Sequence, residues 1–204
     1  GVLPPNTTNA QAYDLVAKKL VSKALQGFNI TMFAYGQTGS GKTWTMMGDD
    51  DGKFPGIIPL GLQDIFKQAE SFKEERTYEL KVSFMEIYNE QINDLLNPNI
   101  NEGQGKNLKI VRDDPQLGAI LGDLTEIKVT SKDEALAAME KGNSARQTAS
   151  TNMNARSSRS HTVFKIAIKS SKSEERRKKD AEMLAQIDDE DEEFHAIGNS
   201  NTAD

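Results

Sequence analysis

Cysteine is absent from the 204 residues, which excludes a disulfide framework and any zinc site built on thiolates. Long apolar runs are absent as well. No stretch approaches the roughly 20 apolar residues of a membrane-spanning helix, and the opening GVLPPNTTNAQ has neither a basic start nor an apolar run of leader length. No membrane partner is expected, and a reducing compartment fits. A surplus of positive charge is also missing: the net charge is −6, and residues 171–204 hold 5 Lys/Arg against 11 Asp/Glu, leaving residues 1–170 with 20 of each sign. Without a basic balance, no nucleic-acid partner is expected. His161 has no cysteine or second histidine near it in the sequence, so it reads as structural rather than metal-binding.

What is present reads as one domain, residues 1–170, followed by a charged loop or tail over 171–204. Thr8 and Asn9 are N-cap types, Ala12, Leu15, Val16, Leu20, Val21 and Leu25 follow at helical spacing, and Gly27 offers a stop, which predicts a helix over about 9–26. Ile30 to Tyr35 is a short apolar run that reads as a buried strand. Pro59 suits a first helical turn, and Leu62, Ile65, Phe66 and Ala69 continue its apolar face. From Tyr78 the pattern alternates, with Leu80, Val82 and Phe84 against Glu79, Lys81 and Ser83, as in a long half-buried strand. Leu108 to Val111, Ala119 to Leu121 and Leu124 to Val129 are short strand candidates. Ser131 to Glu134 is a capping box opening a helix that runs to about Thr148, and Thr162 to Ile168 is another strand. Strands alternating with helices, without internal repeat, indicate an α/β layered sheet. Beyond Ser170 a mixed-charge stretch leads into six consecutive acidic residues, Asp188 to Glu193, a composition that ordinarily stays solvated.

The most informative segment is Gly36-Gln-Thr-Gly-Ser-Gly-Lys42-Thr43, which fits G-x-x-x-x-G-K-[ST] between an expected strand and an expected helix. Glycines at 36, 39 and 41 lack a Cβ, so the backbone through Gln37, Thr38 and Ser40 can turn its N–H groups onto phosphate oxygens. The helix beginning near Lys42 adds the positive end of its dipole. Lys42 would supply a point charge to the β- and γ-phosphates, and the Thr43 hydroxyl would coordinate Mg²⁺. This chemistry specifies a nucleoside triphosphate with Mg²⁺, and neither the base nor the work done with it.

The words around that loop are narrower. Phe33-Ala-Tyr-Gly-Gln-Thr-Gly-Ser-Gly-Lys-Thr-Trp-Thr-Met46 resembles the P-loop segment of kinesin motor domains. Gly56-Ile-Ile-Pro59, Glu86-Ile-Tyr-Asn-Glu90 with Ile92-Asn-Asp-Leu-Leu96, and Asn152-Met-Asn-Ala-Arg-Ser-Ser-Arg-Ser-His161 follow in the family's order. The last resembles the switch I signature N-x-x-S-S-R-S-H. The resemblance implies a P-loop NTPase-like three-layer sandwich, with a central mostly parallel or mixed sheet flanked by helices, that binds ATP and Mg²⁺ and works on microtubules in the cytoplasm and cytoskeleton. It further implies that Ser158 reaches the Mg²⁺ shell and γ-phosphate, that Ser157 helps hold the attacking water, that Asn154 bonds the phosphate side, and that Arg159 pairs with a switch II glutamate. Trp44 follows the loop threonine where the family often places a ring against adenine; its indole either stacks there or packs in the core. Lys106, Lys109 and Arg112 fall where the family makes secondary microtubule contacts.

The family's D-L-A-G-S-E word, its opening R-x-R-P strand and its later helices do not occur in these residues. The one D-x-x-G, Asp49 to Gly52, follows no expected strand. Hydrolysis by this chain in isolation is accordingly expected to be near background. Two functions stay open on the sequence: a microtubule motor ATPase in the complete protein, or a non-catalytic nucleotide-binding or assembly protein that keeps the phosphate loop. A nucleotide kinase or GTPase is disfavoured by the absence of an N-K-x-D word.

Overall fold

The computed structural model describes residues 1–49, 51–97, 99, 107–115, 118–150 and 159–181. The chain divides into two compact units, one made of residues 1–68 with 79–169 and the other of residues 69–78 with the chain from 170 onward.

In the first unit the opening helix forms where Thr8 caps it. Thr8 Oγ1 accepts from the Gln11 amide at 3.2 Å and Gln11 Oε1 accepts from the Thr8 amide at 2.9 Å, a reciprocal arrangement that satisfies two end donors. The helix continues as α1 (Asn9–Ala12), a π turn (Tyr13–Ala17) and α2 (Lys18–Leu25), and Gly27 ends it at φ +96°. The buried stripe is Tyr13, Ala17, Val21 and Leu25, while Leu15 and Val16 are exposed. Simple helical spacing had placed Leu15 and Val16 on the apolar face; the π turn inserts an extra residue and rotates the face. Tyr13 donates from its hydroxyl to Asp64 Oδ2 at 2.8 Å, fastening this helix to α4 (Ile57–Ser71).

The expected buried strand at Ile30 to Tyr35 does not form. These residues adopt no regular structure, and Phe33 and Tyr35 are 84% and 95% exposed. A strand exists only through ladder bonds to a neighbour, and no strand among the described residues pairs with this segment.

The sheet is organised on β1 (Arg76–Tyr88), which pairs antiparallel with β2 (Gln91–Asp94) through Met85 opposite Asp94 and with β5 (Ile127–Val129) through Leu80 opposite Val129. β6 (His161–Lys172) also pairs with β1. Leu80, Val82 and Phe84 are buried as expected, but so are Ser83 and Glu86, so this strand is covered on both faces at its centre rather than half-exposed. A separate ribbon joins β3 (Ile110–Asp114) to β4 (Gly118–Leu121). Asp94, fully buried, accepts from the Leu96 amide at 3.0 Å and the Thr125 amide at 2.8 Å, so its carboxylate takes the place of backbone partners where the chain leaves β2.

α5 (Lys132–Ser150) starts at the expected cap, with Ser131 Oγ accepting from the Glu134 amide at 3.2 Å. The Glu134 carboxylate in turn accepts from the Thr130 amide and the Thr130 hydroxyl, and those two bonds hold it below the usual range. The buried face of α5 is Ala135, Ala138 and Met139, continued by Gly142, where an added Cβ would strike the Phe84 ring. Phe84 meets Phe164 edge to face at 5.5 Å.

In the second unit, Ser173 accepts from the Arg176 amide at 3.0 Å and donates to the Glu74 carbonyl, while its own amide bonds the Glu75 carbonyl. Residues 174–181 are helical. The charged segment is strand end and helix as far as residue 181, with residues 174–179 exposed to solvent as their composition indicates; Arg176 pairs with Asp180 at 2.9 Å and Glu75 at 3.1 Å, and Lys172 with Asp180 at 2.7 Å. Residues 182–204, with the acidic run, lie outside the described residues.

Candidate nucleotide-binding site

The glycine-rich segment forms a turn leading directly into α3 (Lys42–Met46). Its three glycines serve two different needs. Gly39 and Gly41 stand at φ +82° and +89°, a region costly for residues with a Cβ. The demand at Gly36 is milder, since a Cβ there would meet Ser40 Oγ, the end of a short exposed side chain that can turn aside. Ser40 donates its amide to the Gln37 carbonyl at 3.2 Å, which closes the turn. Gly41 begins α3, its carbonyl accepting from the Thr45 amide at 2.8 Å.

Lys42 folds back over the turn. Its Nζ donates to the carbonyls of Gly36 at 2.7 Å and Gln37 at 2.8 Å, which places a positive charge on the loop that the glycines shape. Thr38 and Thr43 are exposed at its edge. The donor set fits a triphosphate with Mg²⁺: a loop free of side-chain bulk at 36, 39 and 41, an ammonium across it, and an exposed hydroxyl at Thr43 of the kind that ligates a hard cation.

Trp44 is 48% exposed and lies beside Phe54, with ring centroids 5.9 Å apart, so an aromatic surface borders the loop rather than disappearing into the core. The Trp44 carbonyl accepts from Asn9 Nδ2 at 2.9 Å, tying the start of the first helix to α3. Beyond α3 the chain reverses through a bridge between Gly48 and Pro55, where a Cβ at Gly48 would meet the Phe54 carbonyl and one at Gly56 the Met46 backbone. At the end of α3, Met47 Sδ receives a bond from Asn143 Nδ2 of α5 at 3.3 Å.

Of the switch I candidates, Arg159 is described and exposed; Asn154, Ser157 and Ser158 lie outside the described residues. Just past them, Ser160 Oγ accepts from Arg146 Nη2 at 3.0 Å, and Arg146 Nε stands 3.4 Å from Oε1 of buried Glu86. Sequence reasoning had not singled out Arg146. Glu86 opens the E-I-Y-N-E word, but nothing local shows that a residue 60 positions away neutralises it. Of the three basic residues expected near the microtubule, Lys109 and Arg112 are exposed, Arg112 pairing with Asp114 at 3.3 Å, and Lys106 lies outside the described residues.

The family model described as the kinesin motor domain matches residues 1–189. Among similar proteins, the rice kinesin-like protein KIN-7D, chloroplastic, is 44% identical over 91% of this chain and 18% of its own length. Kinesin-related protein 4 of Dictyostelium discoideum is 46% identical over 81% of this chain and 8% of its own. Human kinesin-like protein KIF1B is 41% identical over 87% and 10%. A solved structure of a fast kinesin superposes with a TM-score of 0.74 at 39% identity, covering 82% of this chain and 48% of that one. The chain therefore spans less than a fifth of these curated relatives and about half of the solved domain.

Proposed function

The chain belongs to the kinesin motor family and shares its α/β fold, and from that premise we propose that it is the nucleotide-holding part of a microtubule motor ATPase, with MgATP bound by residues 36–43. The observation that carries this reading is the Lys42 ammonium laid across a turn whose glycines at 39 and 41 stand at φ +82° and +89°.

In this reading the amides of Gln37 to Gly39 and of Gly41 to Thr43 face the phosphates, and Lys42 exchanges its two carbonyl partners for phosphate oxygens. The exchange replaces neutral acceptors by charged ones, which favours the bound state. Thr43 and Ser158 would hold the Mg²⁺, which supplies charge neutralisation at the β- and γ-phosphates. Ser157 and Asn154 would orient water and phosphate, Arg159 would meet the acidic partner of switch II, and Trp44 would stack its exposed face on the base. The microtubule face would include Lys109, just before β3, and Arg112 on β3, set against the acidic surface of tubulin. Microtubules being cytoplasmic polymers, that is where the motor would act.

Calorimetric titration of the folded chain with MgATP tests the nucleotide claim. One site is expected, with affinity lost on the order of a hundredfold in Lys42→Ala, as for removal of a charged hydrogen-bond donor from an anion. Equal affinity in the variant would place the nucleotide elsewhere. Co-sedimentation with microtubules, weakened by salt and by Lys109→Glu, tests the partner.

A further inference from the structure

On the reading that the base of the nucleotide stacks on Trp44, we propose that Phe54 is a positioning residue for that base: its ring backs the indole, and Asp49 holds it there. Trp44 is the one tryptophan of the chain, and the backbone beneath it is fixed. Its carbonyl accepts from Asn9 Nδ2 and from the Gly48 amide, both at 2.9 Å. What this leaves open is the side chain, which stands half exposed on α3 and, alone, would be shared among staggered rotamers. A base that stacked on such a ring would have to immobilise it first, and that ordering weakens binding.

Phe54 removes that freedom. Its ring centroid lies 5.9 Å from that of the indole, with the planes at 39°, within the range where aromatic pairs attract beyond the area they bury. One side of the indole is thereby occupied, and the side turned away from Phe54 is the one a base can cover. Phe54 is itself half exposed, so burial in the core does not explain where it stands. Its backbone does. Asp49 takes both polar groups of that residue: Oδ1 accepts from the Phe54 amide at 2.7 Å, and the Asp49 amide donates to the Phe54 carbonyl at 3.2 Å. The bridge between Gly48 and Pro55 lies alongside, and at Gly48, which stands at φ +93°, a Cβ would strike that same carbonyl. Lys53 Nζ lies 5.5 Å from the centre of the Phe54 ring, a cation–π contact that further restrains it.

Phe54 and Asp49 both lie outside the glycine loop of residues 36–43. Their effect falls on the base through Trp44, and not on the triphosphate, so the two can be separated by a ligand that has phosphates and no base.

The test titrates the Mg²⁺ complexes of ATP and of inorganic tripolyphosphate against the wild-type chain, Phe54→Leu, Phe54→Tyr and Asp49→Ala, following the emission of the single tryptophan and recording a thermal melt of each. In the wild type ATP binds more tightly than tripolyphosphate and quenches the indole, and tripolyphosphate does not. In Phe54→Leu the advantage of ATP over tripolyphosphate should fall about two- to tenfold, the worth of an aromatic pair and of ordering one side chain, with a weaker quench, while tripolyphosphate binds as before. Phe54→Tyr keeps the ring and should restore both. Asp49→Ala should lower the advantage with the ring still present, which separates placing the ring from having it. Phe54 is half exposed, so the melting temperature of Phe54→Leu should stay near that of the wild type. An ATP advantage unchanged in Phe54→Leu, or affinity lost for both ligands alike, would overturn the role of Phe54 alone, and an unchanged Asp49→Ala would overturn that of Asp49. A wild-type chain that binds both ligands equally, with the same emission in each complex, would instead refute the stacking reading on which this proposal rests.

Discussion

Gly142 shows how a single residue can reverse an ordinary propensity. Alanine in mid-helix is normally favoured over glycine by about 1 kcal/mol. Here the added Cβ would enter the Phe84 ring, itself wedged against Phe164, and overpacking costs about 1–3 kcal/mol. Gly142→Ala is thus expected to lower the urea midpoint; a higher midpoint would show that the ring has room to move. Tyr13 is the second case. Burial, and then the bond to Asp64, push its hydroxyl above the ordinary 10.0. The folded state favours the protonated phenol, so this contribution is complete below pH 10 and is lost as the pH rises further. Tyr13→Phe should cost about 1 kcal/mol at neutral pH by leaving Asp64 without that bond, and its stability should decline less steeply than the wild type's in alkaline urea titrations. Equal alkaline slopes would contradict the assignment. At this scale the sequence was most legible where the demand is local. Glycines at 39 and 41, the Thr8 and Ser131 caps and the stop at Gly27 each answer to a backbone angle or an end donor a few residues away. Arg146 and Glu86 were illegible because their meaning lies in a contact between residues 60 apart.

Elements were legible where the local pattern and the packing around it agree. The alternation from Tyr78 to Phe84 gave β1 its place, and the capping box gave α5 its first turn. Apolar content also marked Ile30 to Tyr35 as a strand, yet periodicity reports what a segment would bury, not whether a neighbour is there to pair with it. The outcome is an exposed segment carrying Phe33 and Tyr35. Its amides should exchange with deuterium at near-unprotected rates while those of Leu80 to Glu86 are protected for far longer. Slow exchange at 31–35 would mean that a ladder forms there. The π turn at Tyr13–Ala17 was missed for a different reason: it shifts the register of one face by a residue, and a window read at 3.6 residues per turn cannot see it. The mixed charges after Ser170 concealed a helix over 174–181 that stays exposed, since Arg176, Asp180, Lys172 and Glu75 pair instead of repelling.

For the molecule as a whole, four ordered words carry the family resemblance that the family model over residues 1–189 bears out, where a single glycine motif is shared by many nucleotide-binding proteins. The structure adds how the loop is referenced to its surroundings: Asn9 holds α3 from one side and Asn143 from the other. The central claim is that the backbone of residues 36–43 is what grips the nucleotide. Amide chemical shifts of the ¹⁵N-labelled chain, followed through a titration with MgATP, test it most directly. The amides of Gly39, Gly41, Lys42 and Thr43 should move most, and in step with saturation. Binding that left those four resonances still while moving others would contradict the account.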